Sequence, residues 1–396
     1  MRFRRLASLC VLGCVAACGA SEAGEPPSPT DPPTEPPTEP TEPPSDPPTE
    51  PTEPQVPPQP TVEWGASSLL GIHDAPLSPE LLDLFPAGGG FVVQTRYSTD
   101  FDWLSDLGPS TSWARAHGFE PVIRIDYARP DGTAWANGAA TPGATIPPEG
   151  QVGWCLARAG GGPSRDAGGE HLDCYLAYVD DAVSAAPDVH TWVIGNEMNM
   201  ALEAKSHPNG VIDPGWYAHV YRQAQARIRS LPGHADDAVF VGAVAPGAKK
   251  GGVYESGKDY LTRLLYALQP DEVGGVALHA YGGWVRPCDN GGVAPLQAFE
   301  WGSQGGLGYK NQAEWIDGLG YSRVPLLITE MSAHMHTMHG PANVACGSQA
   351  DAYLTDRKPL ADFVRAAYKS LHEWNQGPTN HDIAGGVWFT WHDEGS

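Results

Sequence analysis

Residues 61–396 alternate short apolar runs with longer amphipathic ones, and no other feature narrows the possible folds of this chain as far. The apolar runs are Leu69–His73, Phe91–Tyr97, Pro121–Tyr127, Thr191–Asn196, Val239–Ala245, Gly275–Tyr281, Pro325–Glu330 and Gly386–Trp391. Several are nearly unbroken Val, Ile, Leu and Phe, as strands covered on both faces require. Between them, Pro79–Phe85, Asp102–His117, His171–Ala185, Pro214–Leu231, Lys258–Leu268, Asn311–Leu319 and Leu360–Asn375 read as helices. Strands alternating with helices predict a parallel sheet of the α/β class. This strand and helix count predicts a (β/α)8 TIM barrel spanning 61–396. A doubly wound open sheet could hold the same strands, but no Gly-rich dinucleotide turn follows the first of them. No helical run follows the eighth strand before Ser396, so either the N-terminal stretch covers that gap or the sequence is incomplete.

The N-terminus has a different character. Arg2, Arg4 and Arg5 precede a short apolar stretch, Leu6 to Ala17, in the order of a secretory signal. That stretch is too short to span a bilayer. It ends Val15-Ala16-Ala17-Cys18, which resembles a bacterial lipobox. The resemblance implies a signal peptide over 1–18 and a lipid on Cys18. An ordinary cleaved signal with a nearby Cys is the plainer alternative. Residues 19–60 then repeat Pro-Pro-Thr-Glu with small variations. From Ser21 to Pro60 there are nine acids and no Lys or Arg. With almost nothing apolar to bury, this segment is expected to be a disordered linker. Proline and like charge extend such a chain, to a reach on the order of 100 Å. The expected location is the cell envelope, lipid-anchored to a bacterial membrane with the barrel outside the cytoplasm. The partners expected are that membrane and a substrate, with the chain a monomer.

The whole chain carries 47 Asp+Glu against 24 Lys+Arg, a formal net charge of -23. That balance repels phosphate backbones and argues against a nucleic-acid partner. Beyond the signal, the cysteines are Cys155, Cys174, Cys288 and Cys346, an even number that suggests two disulfides in an exported domain. Cys155–Cys174 with Cys288–Cys346 is the favoured pairing of the three possible. A four-Cys zinc site is the rival, but the spacings are long and no C-x-x-C occurs.

Two runs end in a carboxylate. Thr191–Asn196 is followed by Glu197, and Pro325–Glu330 closes on Glu330. By count these are the fourth and seventh strands, and in a barrel their tips open on the C-terminal face, where such enzymes place their sites. Capping or ion-pairing glutamates would be the bland explanation. The long connections Ala128–Glu170, Gly282–Lys310 and Met331–Pro359 rise from the same face and carry Trp135, Trp154, Trp284 and Trp301. Any one of these rings could simply pack its loop; on this face they also suit the C–H faces of sugars. On the sixth strand, His279 and Tyr281 alternate and so point the same way. A satisfied core histidine is the rival reading of His279 alone.

Acids at the tips of the fourth and seventh strands, with Asn before the first, resemble the clan A retaining glycoside hydrolases, as in families 5, 10 and 39. The resemblance covers the whole barrel and rests on Asn196-Glu197 and Ile328-Thr329-Glu330. It implies Glu197 as general acid/base, Glu330 as nucleophile and Asn196 as a contact to the sugar 2-hydroxyl. It also implies a His near the acid/base, a Tyr bonded to the nucleophile and a Trp platform on the last strand, fitted by His279, Tyr281 and Trp391. Relatives often use an Arg at an early strand end to orient the nucleophile; Arg96 and Arg124 both qualify. Met198 departs from the pattern, since many relatives have Pro after the acid/base. The implied activity is double-displacement cleavage of extracellular poly- or oligosaccharide with a carbohydrate substrate and no cofactor or metal. A binding-only barrel lipoprotein would share the fold without turnover. A third reading, a metal-dependent hydrolase, rests on His334, His336 and His339, whose spacing lets imidazoles converge.

Overall fold

A computed structural model describes residues 69–389, apart from 76, 78, 80, 83–84, 86–88, 99–103, 129–143, 151, 155–167, 206, 208, 248–254, 286–292, 303–305, 336–357 and 379. The strands are β1 (Leu70–His73), β2 (Gly90–Tyr97), β3 (Phe119–Asp126), β4 (Val152–Trp154), β5 (Gly168–Glu170), β6 (Thr191–Ile194), β7 (Ala238–Val241), β8 (Val276–Val285), β9 (Leu326–Met335) and β10 (Ile383–Trp388). The helices are α1 (Leu104–Ala116), α2 (His171–Ala185), α3 (Pro214–Ser230), α4 (Gly257–Ala267), α5 (Val293–Trp301), α6 (Tyr309–Gly318) and α7 (Lys358–Asn375). Eight strands close a parallel barrel in the order β1-β10-β9-β8-β7-β6-β3-β2. The (β/α)8 expectation is met, and the open sheet is excluded by the pairing of β1 with both β2 and β10.

Three elements are additional to the expected set. The antiparallel pair β4–β5 lies in the connection after the third barrel strand, and α5 lies in the connection after the sixth. Of the expected Pro79–Phe85 helix, one turn is seen, with the Phe85 N–H donating to the Leu81 carbonyl at 3.0 Å. Residues 80, 83 and 84 of that stretch lie outside the described residues.

Strand alternation divides the core into two layers. Phe91, Val93, Val122, Val193, Phe240, Ala277, Leu327 and Val387 pack together inside the barrel. Their neighbours in sequence, such as Ile123, Trp192, Ile194, Leu326 and Ile328, pack outward against the helices. This parity decides which side chains near the strand tips can reach the barrel mouth. Arg124 and Asp126 share the parity of Val122, and His279 and Tyr281 that of Ala277. Arg96 shares the parity of the outward-facing Val92.

Cys174 lies on α2 and is disulfide-bonded. Cys18, Cys155, Cys288 and Cys346 lie outside the described residues, as does the whole of 1–68. Among the described residues, no helix is long and apolar enough to cross a membrane.

Candidate active site

Two departures from regular strand geometry bring the carboxylates into the barrel mouth. β6 stops at Ile194. Gly195 follows at φ 75°, and Glu197 itself at φ 41°. A left-handed backbone is rare for Glu and marks a locally strained position. It is held because the Glu197 N–H donates to the Ala243 carbonyl at 2.7 Å. The turn frees Asn196 and Glu197 from strand alternation, so both face the site. On β9 the device is a bulge. Leu278 pairs with Ile328, but the next residue, His279, pairs with Glu330, leaving Thr329 as the extra residue. The β10 side shows the same slip, with Gly386 opposite Ile328 and Trp388 opposite Met331. Without it, Glu330 would carry the outward parity of Ile328; the bulge turns it inward.

Glu330 is 5% exposed and densely contacted. Arg124 Nη1 donates to Oε1 at 2.6 Å, and the Tyr281 hydroxyl donates to Oε2 at 2.7 Å. His279 Nε2 lies 3.5 Å and His73 Nε2 3.8 Å from Oε1. Burial alone would raise the Glu330 pKa. The charges of His279, Arg124 and His73, with the Tyr281 hydrogen bond, outweigh it and hold the carboxyl at about 2. Glu330 is therefore an oriented anion at neutral pH.

Glu197 has fewer contacts. His279 Nδ1 lies 2.9 Å from its Oε1, and the same nitrogen is 3.3 Å from the Tyr281 hydroxyl. Its side chain is about twice as exposed as that of Glu330, 14% against 7%. One imidazole thus touches both carboxylates. With the proton on Nδ1 it donates to Glu197 Oε1, and a proton on Glu197 then belongs on Oε2.

Arg124 ties the floor together. Besides Glu330 it donates to Asn196 Oδ1 at 3.1 Å, and its Nε lies 3.3 Å from Asp126 Oδ2. Burial lowers the Arg124 pKa, but Asp126 and Glu330 together raise it well above the ordinary value. Arg96, the other candidate, bonds the Thr95 carbonyl and the Gln94 amide instead.

Three further residues line the mouth, beyond those to which the resemblance gives a role. His73 Nδ1 pairs with Asp74 Oδ2 at 3.1 Å, and its ring meets Phe389 edge-on at 5.0 Å. Asp126 accepts from the Thr145 hydroxyl at 2.9 Å. Glu203 is 8% exposed. Burial, then the charges of Asp126 and Glu197, push its carboxyl up to about 9, so it is neutral at pH 7. The parity of β3 could have found Asp126. Nothing in the sequence marks Glu203, because its environment combines burial with the charge of Asp126 from β3 and that of Glu197.

Trp388 packs outward against Phe363. Trp135, Trp391, His336 and His339 lie outside the described residues, as do the side chains of Trp154, Trp284 and His334.

No family model and no curated protein matches the chain. Among solved structures it is similar to a mutant of xylanase A from P. fluorescens subsp. cellulosa in complex with xylopentaose. The identity is 12%, with 83% of this chain and 87% of that one covered and a TM-score of 0.48. It is similar to an endo-1,4-beta-xylanase from Caldicellulosiruptor owensensis at 10% identity, covering 83% and 88%, with a TM-score of 0.45. For an endo-beta-1,4-mannanase double mutant from Cellulomonas fimi the values are 12%, 82% and 65%, and 0.45.

Proposed function

We propose that this chain is a retaining glycoside hydrolase that cleaves poly- or oligosaccharide outside the cytoplasm, with Glu330 as nucleophile and Glu197 as general acid/base. The observation that carries this reading is the asymmetric environment of two carboxyls joined through His279. One carboxyl is fixed as an anion by a guanidinium and a phenol. Among the described residues, the hydrogen bond of the other side chain is to the imidazole, and that carboxyl is more open. Double displacement asks for that division of labour.

In the first step Glu330 attacks the anomeric carbon. The bond to the leaving sugar oxygen breaks, and the Glu197 proton passes to that oxygen. In the second, ionised Glu197 takes a proton from water. The water oxygen attacks the same carbon and releases Glu330. The His279 Nδ1–H stays on Glu197 Oε1 through both steps and stabilises the carboxylate when Glu197 is charged. Arg124 and Tyr281 hold the Glu330 oxygens in line. Arg124 also fixes Asn196 Oδ1, leaving the amide NH2 as a donor for the sugar 2-hydroxyl. Trp391 is assigned the sugar platform of the last strand. The lipobox supports a lipid on Cys18, the Pro-rich run a tether over 19–60, and the even number of remaining cysteines two disulfides among Cys155, Cys174, Cys288 and Cys346.

The test uses both glutamates. Glu330→Ala should abolish turnover while sugar binding persists. Glu197→Ala should lose most activity on substrates with poor leaving groups and retain the first step on activated aryl glycosides. Azide should then restore turnover and yield a product of retained configuration, because a small anion attacks the glycosyl-enzyme without base help. Full activity in either variant, or a product of inverted configuration from the unaltered chain, would overturn the assignment.

A further inference from the structure

We infer that His190, His234 and Asp237 form a binding site for one divalent transition-metal ion, with zinc the best fit, at the end of the barrel remote from the carboxylates. His190 immediately precedes β6, Asp237 immediately precedes β7, and His234 lies in the turn that joins α3 to β7. These strands are parallel, so their starts share one end of the barrel and Glu197, beyond the finish of β6, lies at the other. The four residues of β6 alone rise roughly 13 Å.

The donor atoms already converge. His190 Nδ1 lies 2.8 Å from Asp237 Oδ1, and His234 Nδ1 lies 2.7 Å from Asp237 Oδ2. One ligand atom from each residue falls within 4.8 Å of the others. Zinc binds imidazole nitrogen and carboxylate oxygen at about 2.0–2.2 Å. Side-chain rotations that open the nitrogen–oxygen contacts by on the order of half an ångström would admit it. Each neutral imidazole would present the Nδ1 lone pair, with its proton on Nε2. Two imidazoles with one carboxylate suit zinc, and suit calcium or magnesium poorly, since those ions take oxygen ligands.

A second observation concerns the support behind the ligands. The fully buried Trp192 donates its indole N–H to Asp237 Oδ2 at 2.7 Å, and Arg229 donates to the Asp237 carbonyl at 3.3 Å. Metal-binding carboxylates are commonly oriented in this way by outer donors. The side chains of His234 and Asp237 are 4% and 2% exposed, whereas that of His190 is 45% exposed. The open side at His190 gives an ion its entry and leaves room for water as a fourth ligand. The Ala238 N–H already donates to the His190 carbonyl at 2.9 Å. A bound ion would add a second clamp between the starts of β6 and β7, so its effect belongs to stability.

The whole chain, freed of metal by dialysis against a chelator, is titrated with Zn²⁺ in a calorimeter and with Co²⁺ by visible absorption. The expected result is one ion per chain and a melting temperature raised by a few degrees at about 100-fold excess over Kd. His190→Ala alters a half-exposed ring and should fold; it should weaken binding at least about tenfold. Asp237→Asn should abolish binding, and if that variant fails to fold, His190→Ala decides alone. A double variant, His336→Ala with His339→Ala, should bind as the unaltered chain does. Absence of saturable binding, or unchanged affinity and stoichiometry in His190→Ala, would refute the site.

Discussion

Tyr281 is the residue at the mouth whose contact with Glu330 can be removed with the least disturbance, since phenylalanine keeps its ring. Its hydroxyl donates to Glu330 Oε2 at 2.7 Å and so favours the ionised carboxylate. A hydrogen bond to a charged group is worth about 1.5–3 kcal/mol, so Tyr281→Phe should lower kcat/KM roughly 10- to 100-fold on an aryl glycoside. The sign of the pH effect follows. Glu330 sits at about 2 when folded, below its unfolded value, so its stabilisation is present above the unfolded pKa and is lost as pH falls toward 2. Losing the phenol raises the folded pKa, so the acid limb of kcat/KM should move to higher pH. An unmoved limb with an undiminished rate would show that this bond does not act on Glu330. At this scale the sequence was informative wherever strand parity holds. His279 and Tyr281 are expected on one face and are found there. Counting from Val93 and Val122 would also have separated Arg124 from Arg96. Parity fails at Glu330, where the bulge at Thr329 reverses it, and position at the strand tip was the better guide. Glu203 was not legible, because its high pKa arises from burial beside Asp126 and Glu197, contacts that only the closed barrel creates.

Among the elements, the junction of β6, β7 and α3 sets the position of Glu197. Tyr217 of α3 is fully buried; its hydroxyl donates to the Ile194 carbonyl and accepts from the Gly242 N–H, both at 2.7 Å. Gly242 is required there by close approach: a Cβ would fall 2.4 Å from the Gly195 carbonyl oxygen and 2.6 Å from that of Ile194. Both carbonyls are backbone and cannot swing aside. Gly242→Ala should therefore push β7 away from the turn that carries Glu197. Overpacking of this kind costs about 1–3 kcal/mol, a fall of several degrees in Tm. Moving a reacting group by about 1 Å can cost on the order of 100-fold in rate, so kcat should drop far more than folding alone explains. Differential scanning calorimetry and initial rates on the same sample check both. Wild-type values in each would mean that the strands accommodate the methyl group without moving Glu197. The elements themselves were largely readable, since all eight barrel strands and the long amphipathic helices carry their own periodicity. The three that were not are instructive. α5 begins Val293-Ala294-Pro295 and has no clear polar face, so it reads as loop. The β4–β5 pair has three residues to a strand and contains Gly153, Gly168 and Gly169, too little pattern to register.

For the whole molecule, the question is what would hold such a chain at a membrane. The described barrel offers no helix able to cross one. The leader offers little more. Leu6 to Ala17, if helical, would extend roughly 18 Å against a hydrocarbon core of about 30 Å. Electrostatic adhesion is also disfavoured, because a net charge of -23 is repelled by anionic lipid. We propose that a covalent lipid on Cys18 supplies the membrane association. Each buried methylene contributes about 0.8 kcal/mol, so removing the lipid should convert nearly complete partitioning into nearly none. Cys18→Ala should move the protein from the membrane fraction to the soluble fraction of fractionated cells and abolish incorporation of labelled fatty acid. Turnover should not change, because none of the groups assigned to the catalytic steps lies within residues 1–60. Comparing kcat/KM of the soluble variant with that of detergent-extracted wild type separates anchoring from catalysis. If the variant remained in the membrane fraction and the wild type took up no label, the lipid anchor would be wrong, while the assignment of Glu197 and Glu330 would stand unaffected.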